Sequence, residues 1–87
     1  MKKCYWKSLV EIIDILTPSE IIGLTNRKTY MTIITRVYDQ KQDKKIDKIC
    51  REAGMEWDFT PYVTTTRKGK KETEIPSVKY IISEEEE

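Results

Sequence analysis

Lys28-Thr29-Tyr30-Met31-Thr32-Ile33-Ile34-Thr35-Arg36-Val37-Tyr38 is the stretch on which the fold turns, because it satisfies two periodicities at once. Tyr30, Ile33, Ile34 and Val37 fall at i, i+3, i+4 and i+7, the spacing that lines one side of a helix. The same residues are rich in β-branched and aromatic side chains, which favour strands. The apolar spacing predicts a helix over 30–37, with Lys28, Thr29, Thr32 and Arg36 on its polar side; composition is the contrary signal.

Upstream, Leu9, Ile12, Ile13 and Leu16 repeat the helical spacing, with Ser8 as N-cap and Glu11 completing a capping box. Thr17-Pro18-Ser19-Glu20 reads as a second start, with a Thr cap, Pro at the first helical position and Glu at the third. A short helix carrying Ile21, Ile22 and Leu24 is expected there. Downstream, Ile46, Ile49, Cys50 and Ala53 form a further stripe, and Gly54 stands where a C-terminal cap belongs, so a helix is expected over 42–53.

After Gly54 the period falls to two: Met55, Trp57 and Phe59 alternate with Glu56 and Asp58 until Pro61. Segments 62–66 and 72–75 flank a basic turn centred on Gly69, and 78–82 is a further strand after Pro76. The expected architecture is α+β, with three to four short helices followed by a C-terminal β-hairpin. It forms a single domain over 1–83, with 84–87 as an acidic, disordered tail.

Eighty-seven residues suffice for one hydrophobic core and no more. No apolar run reaches the roughly 18 residues of a membrane span, and the N-terminus lacks a signal-peptide core, so a cytoplasmic location is expected, or the host cytoplasm for a viral protein. Abundant Ile, Lys and Glu with no His lean toward a thermophilic source, although a low-GC mesophile has the same balance. The net charge of +1 conceals segregation. Eight basic residues stand against three acidic ones between Asn26 and Arg51, and Arg67-Lys68-Gly69-Lys70-Lys71 adds a second basic cluster.

Catalytic chemistry finds little to use. Without histidine there is no imidazole base, and Cys4 and Cys50 lie too far apart to form a metal-ligand pair. Lys68-Gly69-Lys70-Lys71 lacks the second glycine of a phosphate-binding loop. Asp39, Asp43 and Asp47 are interleaved with Lys41, Lys44, Lys45 and Lys48, a pattern read as an ion-paired solvent face rather than a metal site. Glu56, Asp58, Glu72 and Glu74 leave a carboxylate-only nuclease as a minor alternative. No enzyme, cofactor or metal is expected. Trp6, Trp57, Phe59 and Tyr62 are read as core in preference to base-stacking groups.

The order of elements resembles the winged helix-turn-helix family. Residues 17–25 are similar to its positioning helix, Arg27-Lys28-Thr29-Tyr30 through Val37 to its recognition helix, and 78–83 to the strand that closes a wing. The turn around Asn26 is about two residues shorter than the family's usual Gly-containing turn. The extra helix over 42–53 is the alternative reading helix if 30–37 is a strand.

The resemblance implies a small DNA-binding regulator of a virus, plasmid or prokaryote. Its contacts to double-stranded DNA would come from Arg27, Lys28, Thr29, Thr32 and Arg36 on the helix and Arg67, Lys68, Lys70 and Lys71 on the wing. A homodimer is expected, joined through the helix over 9–16 or through Tyr5 and Trp6. The rival class is a protein-binding inhibitor or adaptor from a mobile element, whose acidic tail imitates phosphate.

Overall fold

Two helices lie on one face of a four-stranded antiparallel sheet in the computed structural model, which describes residues 5–84. In chain order the elements are α1 (Trp6–Leu16), a 3₁₀ turn (Thr17–Ser19), β1 (Ile21–Asn26), β2 (Tyr30–Thr35), α2 (Gln40–Ala53), β3 (Met55–Lys68) and β4 (Lys71–Glu84). Across the sheet the order is β1-β2-β4-β3. β2 and β3 therefore run parallel on either side of β4, and α2 supplies the long crossover that parallel strands need.

The architecture is α+β, but the expected three to four helices followed by an appended hairpin are not what forms. Residues 30–35 are a strand. Met31, Ile33 and Thr35 point into the core, while Tyr30 is exposed and Thr32 and Ile34 are half-buried on the opposite face. Ile33 and Ile34, neighbours on a helical stripe, thus face opposite ways. The β-branched run Thr32-Ile33-Ile34-Thr35 is stiff at χ1 and suits a pleated surface. On β4, Ile82, Tyr80 and Val78 stand opposite Met31, Ile33 and Thr35.

The expected second helix stops after Ser19, because Glu20 takes a left-handed backbone with φ 59° and the chain turns into β1. Nor does Ser8 cap α1, which begins at Trp6 with no side-chain bond from its N-cap Tyr5. α2 starts two residues before the expected position, where the Asp39 carboxylate accepts from the Lys41 N–H at 3.0 Å. It ends at Gly54, whose φ of 69° is the left-handed C-terminal cap. Glu84, assigned to the acidic tail, is the last residue of β4. The rest of that tail (85–87) and Cys4 lie outside the described residues.

Leu9, Ile12 and Leu16 of α1, Ile46 and Cys50 of α2, and Met31, Ile33, Met55, Tyr80 and Ile82 of the sheet close a single core. Burial, with the nearby Asp47 charge, pushes the Cys50 thiol up to about 11, so it stays protonated. The helices are pinned at one end by polar bonds. Ser19 Oγ donates to Gln42 Oε1 at 2.7 Å, and Gln42 Nε2 donates to the Ile15 carbonyl at 3.0 Å. The apolar stripe of α1, expected as a dimer face, is thus consumed within the chain, whereas Trp6 is exposed.

β3 and β4 pair without interruption from Met55↔Glu84 to Lys68↔Lys71, whereas β2 covers β4 only from Val78 to Ser83. Beyond that point the hairpin projects as a two-stranded arm, which accounts for a longest dimension of 47 Å against 28 and 19 Å. The hairpin closes on Gly69-Lys70, with positive φ at Gly69 (66°) and not at Lys70, the pattern of a two-residue type II′ turn.

Candidate nucleic-acid interface

Side chains alternate across a ladder, so the register assigns every arm residue to one of two faces. Trp57 and Phe59 share the helix-bearing side of β3; continuing along the arm, that face carries Pro61, Val63, Thr65 and Arg67, opposite Pro76, Glu74 and Glu72 of β4. The other face is continuous with the uncovered side of the sheet. It carries Tyr62, Thr64, Thr66 and Lys68, opposite Ser77, Ile75, Thr73 and Lys71, with Lys79 at the arm's base. The register therefore sorts charge: both arm acids fall on the helix side, and three lysines share a face with threonines and a tyrosine.

Local bonds hold this surface. Lys79 Nζ sits 5.6 Å from the Tyr62 ring centroid, a cation–π contact. Thr64 and Ser77 hydroxyls meet at 3.3 Å, and Thr66 Oγ1 donates to the Thr73 carbonyl at 3.4 Å. On the reverse face, Arg67 Nε donates to Glu72 Oε1 at 2.7 Å. That pair is exposed and worth well under about 1 kcal/mol. Lys68, Lys70 and Lys71 are exposed, and their side chains make no hydrogen bond or ion pair among the described residues.

Backbone polarity limits what the arm can pair with. Rungs alternate between bonding inward and pointing outward, and the rung flanking a two-residue turn, Lys68↔Lys71, bonds inward. Counting back from it, Pro61 and Pro76 (opposite Val63) both fall on outward rungs. There a missing N–H costs no ladder bond and interrupts each free edge, which discourages strand addition.

The expected recognition-helix residues do not gather with the arm. Arg27, Lys28 and Thr29 form the β1–β2 turn, which sits beside the far end of β4, where the Glu84 N–H bonds the Thr29 carbonyl at 3.2 Å. From there to the tip is about 40 Å along β4. Thr32 is half-buried on the open face of the sheet, and Arg36, beyond β2, pairs with Glu20 at 3.6 Å. Of the expected contact residues, Lys68, Lys70 and Lys71 remain together as cations without an ion pair among the described residues, with Arg67 turned to the other face. Tyr62 and Lys79 join them; strand alternation on either side of the turn was the signal that could have found both.

The remaining carboxylates do not converge either. Asp58 stands opposite Ile81 and Glu74 opposite Thr65, about 23 Å apart along the ladder and on different faces. The aspartates of α2 turn toward the sheet instead of toward the lysines. Tyr80 Oη donates to Asp43 Oδ1 at 3.1 Å, Tyr38 Oη donates to Asp43 Oδ2, and Trp57 Nε1 donates to Asp47 Oδ1 at 3.0 Å. Burial first, then the Asp43 charge, raises the Tyr80 hydroxyl above its ordinary range; the hydrogen bond to Asp43 raises that of Tyr38. Asp47 also pairs with Arg51 at 2.9 Å. The expected ion-paired solvent face of α2 is therefore absent for Lys41, Lys44, Lys45 and Lys48.

Among the described residues, no group of acids and cysteines could hold a metal ion, and no helix is long and apolar enough to cross a membrane. No protein-family model matches the chain, and no curated protein or solved structure shows significant similarity to it.

Proposed function

We propose that this protein binds double-stranded DNA through the β3–β4 arm, a two-stranded ribbon laid against the duplex. The carrying observation is the sorting of charge across the arm, which leaves Lys68, Lys71 and Lys79 on one face with hydroxyl groups and puts Glu72 and Glu74 on the other. A two-stranded ribbon fits the major groove, and this arm extends about 23 Å beyond the last rung shared with β2. Lysines bind phosphates without reading sequence; Thr64, Thr66, Thr73 and Tyr62 are placed to contact phosphate or base edges.

Fluorescence anisotropy on a mixed-sequence duplex at several salt concentrations tests this. Four lysine contacts at the arm (Lys68, Lys70, Lys71 and Lys79) contribute about −3.6 to the slope of log K against log salt, and the K68A/K70A/K71A variant should bind more weakly. No binding at low salt by the folded protein, or a variant that binds as much duplex as tightly as wild type, overturns the proposal.

A second reading, docking to a protein partner, is favoured by a different surface. Tyr38 stacks on Phe59 at 5.4 Å, and both are exposed beside Val37 and Val63 on the helix side of the arm's base. A folded protein indifferent to duplex DNA would shift the weight to that surface.

A further inference from the structure

α2 carries a second cationic surface that the arm does not use. Lys41, Lys44, Lys45 and Lys48 recur at i, i+3, i+4 and i+7, which aligns them along about 10 Å of one helix side. Gln42, Ile46 and Cys50 are the buried side of that helix, so the lysine stripe looks away from the sheet. All four are exposed, and none makes a side-chain hydrogen bond or ion pair among the described residues. The acids that alternate with them are occupied elsewhere: Asp39 caps the helix, Asp43 receives the two tyrosines, and Asp47 receives Trp57 and Arg51. Glu52 ends the stripe, while α1 exposes Lys7 together with Glu11 and Asp14 and carries no such stripe.

We infer that this stripe is a second site for nucleic-acid phosphates, so that one molecule joins two duplex segments, one on the arm and one across α2. The inference rests on the duplex-binding reading above. The arm's outer part and the α2 stripe are alike in presenting lysines with no acid among them, Glu56 and Asp58 lying on the open sheet face short of the arm, and the two-layer fold puts the two surfaces on opposite sides. The molecule's thinnest dimension is 19 Å, more than twice the Debye length of about 8 Å at physiological salt, so phosphates on the two sides repel each other weakly. Exposed lysines on both sides of a thin body meet the geometric need for bridging.

The test uses one duplex fixed to beads and a second, fluorescently labelled duplex in solution, with the full-length protein added. Wild type should carry the labelled duplex onto the beads. The K41A/K44A/K45A/K48A variant, whose alanines favour the helix, should still bind the fixed duplex but recover the label only at background. Circular dichroism establishes that the variant is folded. Capture by the variant equal to wild type, as bridging by self-associated copies would give, overturns the inference. So does wild type that binds the fixed duplex and captures no second. Failure to bind any duplex removes the proposed function as well, which separates the two failures.

Discussion

Asp43 of α2 holds two tyrosines, one on each carboxylate oxygen. It accepts from the buried Tyr80 and from Tyr38, which stacks on Phe59, so one carboxylate links α2, β4 and the segment before α2. Asp43→Ala leaves the Tyr80 hydroxyl without its partner in a mostly apolar surround, and a loss of about 1–3 kcal/mol in urea unfolding is expected. Tyr80→Phe should cost less, because Asp43 is half-buried and keeps Tyr38 and solvent. Equal costs for the two variants would show that lost packing, and not an orphaned hydroxyl, dominates. The bond from Tyr80 could not be read from spacing along the chain, since Asp43 and Tyr80 are 37 residues apart.

Among the elements, α2 was legible and β2 was not. The stripe Ile46, Ile49, Cys50 and Ala53 and the following Gly54 satisfy one pattern only, so the helix forms close to its expected bounds. Its C-terminal cap depends on the positive φ of Gly54, with nothing within 4 Å of where a Cβ would stand. Gly54→Ala should therefore cost about 1–2 kcal/mol through backbone strain alone, measured as a lowered urea midpoint with unchanged m. A neutral result would mean that the cap relaxes. β2 fits two patterns, and helical spacing lost because strand β4 offers a matching apolar face at Val78, Tyr80 and Ile82. A single segment carries no information about that partner.

On the scale of the whole molecule, the core and the arm differ in kind. The sheet from Met31 to Thr35 and from Val78 to Ile82 is backed by both helices, whereas the arm beyond Pro61 has no helix on either face and is exposed except for Ser77, Thr64 and Ile75. Two-stranded ribbons are marginal in water on their own. In hydrogen exchange, the inward-bonded amides of Thr64, Thr66, Thr73 and Ile75 should open well before those of Met31, Ile33, Tyr80 and Ile82, and duplex DNA should slow them selectively. Uniform protection throughout β3 and β4 would contradict this division.

By itself, the sequence determined the elements that rest on local patterning: the stripe of α1, the capped helix α2, the period-two run after Gly54 and the turn at Gly69, together with two separate basic regions. Each follows from residues within a few positions of one another, where side-chain spacing and backbone preference act directly. Tertiary structure decided the rest. Pairing with β4 made a strand of 30–35, and the register separated the arm's lysines from its acids. Bonds from Tyr38, Tyr80 and Trp57 drew the aspartates of α2 inward and left its lysines to solvent. The physical reason is the same throughout: burial and hydrogen bonding are settled by partners distant in sequence, and these overrule a local preference worth a fraction of a kcal/mol per residue.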